Sequence, residues 1–148
     1  MKRVRFHNSD FELSGYTNLH LKNGFDLDAL GIDDGELEEL VFEHILEYVS
    51  VKAVEDMLAK LCRKVKKGGT VRVVGTDILE VSKLISSYRM DLQNINKTIF
   101  NEQPDSSETK KCVFTVNHIA SFFNELLKFK VLKQRINGVE FLVEAERQ

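Results

Sequence analysis

Polar and apolar positions alternate over Arg3-Val4-Arg5-Phe6 and then give way to His7-Asn8-Ser9-Asp10, the pattern of a short strand running into a loop. Gly15 marks a turn, and Tyr16-Thr17-Asn18-Leu19-His20-Leu21 predicts a second strand with no room for a long helix before it. Three glycines and four aspartates between Lys22 and Glu36 predict loop, with at most a short strand or turn around Phe25-Asp26-Leu27. Leu37 to Phe42 reads as the third strand. The period then changes. Val51, Val54, Leu58, Leu61 and Val65 recur at three- and four-residue steps, with Ser50 placed to cap the first turn. Lys64, Lys66 and Lys67 followed by Gly68-Gly69 read as that helix's stop. Thr70 to Val74 is a strand, and Thr76-Asp77 caps a second helix carrying Ile78, Val81, Leu84, Ile85 and Tyr88 on one face. From Asp91 to Thr109 periodicity fades, and Pro104 sits in a surface loop, Asn101 to Ser107. A third helix over Val116 to Phe129 buries Ile119, Phe122, Phe123, Leu126 and Leu127. Strands Val131–Ile136 and Val139–Ala145 close the chain, joined by Asn137-Gly138, whose tolerance of positive φ predicts a type I′ hairpin turn.

Strands alternating with helices and ending in a hairpin predict an α/β fold, an open and mainly parallel sheet with one reversed strand. The length of 148 residues suits a single domain over 1–148. With 21 Lys+Arg against 23 Asp+Glu, the formal net charge is −2, so no basic field marks nucleic acid or an anionic membrane as partner. No signal-peptide core follows the first strand, and the expectation is a cytoplasmic protein. Cys62 and Cys112 lack metal or redox spacing and read as reduced fillers.

The middle of the chain carries a resemblance. Ile32-Asp33-Asp34-Gly35 leading through Leu40-Val41-Phe42 to Glu43-His44-Ile45-Leu46-Glu47-Tyr48 resembles an acidic loop feeding a strand that ends in His-x-x-Glu-His. Leu61-Cys62-Arg63-Lys64-Val65-Lys66-Lys67-Gly68-Gly69 is similar to a helix-to-strand passage reading Arg-Val-Leu-Lys-Pro-Gly-Gly, and Thr76-Asp77-Ile78 stands where Pro-Asp-Leu is usual. With the order of elements, these segments resemble the small class I S-adenosylmethionine (SAM)-dependent methyltransferases, which implies a Rossmann-like sheet with helices on both faces and the reversed strand of the closing hairpin near one edge.

That resemblance implies a SAM site at the carboxyl ends of the first strands. His7-Asn8-Ser9 falls on the family's Gly-Cys-Gly, His20 on the acid that holds the ribose, and Asp26 on the acid near the adenine amine. Backbone amides after Phe6 and Asp26 would hold SAM, and Glu43, His44 and Glu47 would orient or deprotonate the nucleophile of a small-molecule or protein acceptor. A side chain in place of glycine and an imidazole in place of a carboxylate imply a weakened or lost grip on SAM. The alternative is a non-catalytic relative serving interaction or regulation, and the closing hairpin offers an edge for a homodimer. His7, His20 and His44 all fall at carboxyl strand ends, where Asp10, Asp26 or Glu47 would complete a metal or anion site. Solvated loop histidines are the preferred reading, and no metal is assigned.

Overall fold

The computed structural model describes residues 2–101 and 109–148. Six strands, β1 (Arg3–His7), β2 (Thr17–His20), β3 (Leu37–Glu43), β4 (Val65–Thr76), β5 (Lys130–Asn137) and β6 (Glu140–Glu146), form one sheet in the order β2-β1-β3-β4-β6-β5. The first four in that order are parallel, and β6 runs antiparallel to both neighbours. The reversed strand thus lies one place in from the edge. The helices are α1 (Val51–Cys62), α2 (Ile78–Ser86), α3 (Leu92–Phe100) and α4 (Val116–Ser121), the last continued by a π-helical turn, Phe122–Leu126. No helix among the described residues is long and apolar enough to cross a membrane.

Alternation in the strands sets the core. Val4 and Phe6, Leu40 and Phe42, Val71 and Val73, and Phe141, Val143 and Ala145 pack with Val54, Leu58 and Leu61 of α1 and with Ile119, Phe122 and Phe123. Phe6 stacks on Phe42 at 5.5 Å and tilts against Phe25 at 5.2 Å. Through Phe25, Leu27 and Ile32, the loop between β2 and β3 plugs the core without forming a strand. The opposite face of the sheet is charged. Over β1, β3, β4 and β6 it presents a lattice of ion pairs: Glu39 meets Arg3 (3.8 Å) and Arg72 (3.4 Å), and Glu144 meets Arg72 (3.1 Å) and Lys133 (3.4 Å). Tyr16 donates its hydroxyl to Glu39 at 2.6 Å, and burial together with this bond raises its pKa.

Local differences have local causes. Helix α1 stops at Cys62, not at the Gly-Gly, because Val65 pairs with Leu37 and opens β4. Gly68, at φ 74°, then sits where the register shifts before Thr70, and a Cβ on Gly69 would come within 2.8–3.0 Å of Val65 and the Leu37 and Glu38 carbonyls. The lysines are therefore not a helix terminus. Lys64 is buried against Asp28 and Asp34, which raises its pKa and lowers that of Asp28, and Lys66 reaches Glu38. Arg147 takes over the cap, donating to the carbonyls of Arg63 (2.8 Å) and Val65 (2.6 Å). Ser50 holds the N-cap position without a side-chain bond. Tyr88 lies beyond α2 and is exposed. The residues 91–100 contain α3, capped by Asp91, where fading apolar periodicity gives no helix. The loop expected around Pro104 lies, apart from Asn101, outside the described residues. In the hairpin only Gly138 has positive φ (63°), with Gly138-Val139 at the turn, the pattern of type II′ rather than I′.

Candidate functional site

The strand order reverses between β1, whose outer neighbour is β2, and β3, which leads on to β4; beyond the carboxyl ends of such a pair an open parallel sheet leaves a crevice. A cavity of about 600 Å³ lies there. The sheet ends contribute His7, Asn8, Ser9, Glu43, His44 and Thr76, the turn after β3 contributes Glu47 and Tyr48, and α3 supplies Asn94, Lys97 and Thr98. Of the residues singled out from sequence, His7, Asn8, Ser9, Glu43, His44 and Glu47 meet on this one cavity. His20 and Asp26 are not in its lining.

At the end of β1 the His7 side chain is an occupant of the site. It is 5% exposed, its Nδ1 accepts the Ser9 amide at 3.3 Å and lies 3.2 Å from the Ser9 hydroxyl, and its ring meets that of His20 edge-on at 5.5 Å. Burial, then the positive charge of Arg5 and the neighbouring His20, lower its pKa, so the ring is neutral at pH 7. Arg5, fully buried, organises the loop after it. Its guanidinium donates to Glu43 (2.7 Å), the Phe11 carbonyl (3.1 Å), Asn18 (3.2 Å) and Ser9 (3.2 Å), and lies over the Phe11 ring. His20 instead accepts the Lys22 amide, and Asp26 accepts the amides of Asp28 and Ala29 in its own turn.

The three residues that the resemblance puts on the acceptor side differ in availability. Glu43 is engaged by Arg5. Glu47 is 3% exposed, with one oxygen accepting the Thr76 amide at 2.6 Å and the other 2.9 Å from the Lys110 ammonium. His44, with φ at 51°, turns its Nε2 to Glu140 at 2.8 Å and keeps a partly exposed ring on the cavity wall. Among the described residues no group of three or more His, Cys, Asp or Glu is arranged to hold a metal ion. Both thiols have raised pKa values, Cys62 to about 12 and Cys112 to about 11, mainly through burial, and neither is a nucleophile at neutral pH.

Sequence reasoning missed Lys110, Glu140 and the α3 wall. The wall had a signal in the polar residues: Asn94, Lys97, Thr98 and Asn101 recur at three- and four-residue steps, a helical stripe turned to the cavity.

No protein-family model and no curated protein matches the chain. Solved structures do. An O-methyltransferase family protein from Burkholderia thailandensis matches 90% of this chain at TM-score 0.56 and 16% identity, and the chain spans 35% of its length. A SAM-dependent methyltransferase from Methanosarcina mazei matches 89% at TM-score 0.58 and 16% identity, with 67% of its length covered. Magnesium protoporphyrin IX methyltransferase from Synechocystis, solved with bound S-adenosylhomocysteine, matches 90% at TM-score 0.53 and 12% identity, with 52% covered. The chain has the Rossmann-like fold of the SAM-dependent class I methyltransferases.

Proposed function

We propose that this is a methyltransferase-like protein in which the SAM cradle is rebuilt and its grip on the cofactor is weakened or lost. The observation that carries the reading is the buried His7 ring at the end of β1, bonded to Ser9 in the place where the resemblance sets glycines. Ser9 is further bound by Arg5, so the loop is held in a form that serves the protein's own interior. No carboxylate stands at the end of β2, and a ribose diol without one forgoes a charge-assisted pair of roughly 1.5–3 kcal/mol. The residues present do not fit SAM in the family's manner, and no reaction step is assigned through it. Under this reading the scaffold serves binding or regulation of a small-molecule or protein partner.

The competing reading is an active methyltransferase. It is favoured by Glu43, His44 and Glu47 lining the same cavity, by the imidazole–carboxylate pair His44–Glu140, and by a neighbour of this fold solved with S-adenosylhomocysteine. Calorimetric titration with S-adenosylhomocysteine separates the two. We expect no heat of binding at millimolar ligand, whereas micromolar affinity overturns the first reading. The triple variant His7→Gly, Ser9→Gly, His20→Asp is expected to gain measurable affinity.

A further inference from the structure

We propose that α3 is a lid over the cavity and that the pair formed by the buried Glu47 and the half-buried Lys110 is the clasp that holds it shut. The proposal rests on the cavity being a ligand site and concerns how that site is opened.

Helix α3 has no buried residue, and Leu92 and Phe100 at its ends are exposed. Few buried apolar contacts place an element at the low end of local stability. Its polar stripe faces the cavity, while Ile99 adjoins Ile78 and Val81 of α2 beside Val113. From below, Lys110 donates to the carbonyl of Thr98 within α3 at 2.9 Å, and its ammonium stands 2.9 Å from Glu47. Glu47 is anchored in turn. Its carboxylate accepts the amide of Thr76 at the end of β4, and its carbonyl accepts the amides of Lys111 (2.6 Å) and Cys112 (3.2 Å). The Cys112 thiol adds bonds to the carbonyls of Leu46 and Val49. One acidic side chain therefore links the end of the sheet, the turn after β3 and the lysine that reaches the lid. Gly75 leaves room for it, since a Cβ there would lie 3.2 Å from its Oε1. Glu47 and Lys110 both line the cavity, but the carboxylate is taken up by the Thr76 amide and the Lys110 ammonium, so the two act as positioning residues.

Hydrogen exchange by mass spectrometry on the ligand-free chain tests the clasp. In Lys110→Met, which keeps the stem and removes the charge and donors, amides of α3 should exchange about ten- to hundredfold faster, the loss expected for a charge-assisted bond. Those of β1, β3 and β4 should not change, and Lys110→Arg should restore protection. Modification of His7 by diethyl pyrocarbonate should accelerate several-fold in Lys110→Met alone. Unchanged exchange over α3 overturns the proposal, as does exchange that rises equally in the strands, which would make the pair a requirement of the fold. Faster exchange in α3 with unchanged His7 modification also overturns it, because α3 then does not cover the cavity. None of these measurements uses S-adenosylhomocysteine, so their failure is distinct from failure of the reading above.

Discussion

At the scale of single residues, Arg5 and His7 decide the character of the site. Replacing Arg5 by Met leaves Glu43 without its partner and the loop after β1 without its organiser; Glu43 keeps some solvent, so the loss should lie near the low end for a broken buried pair, about 3 kcal/mol by urea unfolding. His7 gives a pH signature. Its folded pKa is lowered from 6.5, so below that value the unfolded chain takes up the proton more readily than the folded one. Its contribution to stability is complete above pH 6.5 and is lost as pH falls through the lowered folded value. Thermal melts between pH 8 and pH 5 should show this decline, and His7→Asn, which keeps an acceptor for the Ser9 amide, should flatten it. An unaltered pH profile in the variant would contradict the assignment. His7 and His20 were legible as candidates because their residue types depart from glycine and acid within a resembling pattern. The contacts of Arg5 were not, since it reads in sequence as the outer half of an alternating strand, and only the packing of Phe11 and Asn18 over it shows it buried.

At the scale of elements, one carboxylate governs two helices. Asp77 is 2% exposed; its Oδ1 accepts the amide of Glu80 at 3.1 Å in the first turn of α2, and its Oδ2 accepts that of Val116 at 2.8 Å in the first residue of α4. Asp77→Ala should cost about 2–3 kcal/mol, more than an ordinary cap, because two buried donors are left unmet. Circular dichroism with chemical denaturation measures it. In the hairpin, Gly138→Ala meets no atom within 4 Å, so its cost of about 1 kcal/mol should come from the positive φ alone. Sequence periodicity placed β1, β3, α1 and β6 because each buries an alternating or helical apolar stripe, whereas the mostly exposed β5 is held by its hairpin pairing with β6. It passed over α3, whose stripe is polar and faces a cavity, and it extended α1 because Val65 continues the helical spacing while pairing in the sheet.

At the scale of the whole molecule, strand order and the reversed β6 follow from the order of elements, and with them the place of the cavity. What the order of elements does not convey is that the stretch between β1 and β2 folds over Arg5, so that the face bearing Glu39, Arg72 and Glu144 is built from charges. That face has a thermodynamic consequence. Apolar surface is withdrawn from water mainly on one side of the sheet, so unfolding uncovers less of it than in a layered α/β protein of equal length. The heat-capacity increment and the denaturant slope should both fall below the values that scale with 148 residues, giving a flatter stability curve that added salt changes little, since Glu39 and Glu144 are largely shielded from solvent.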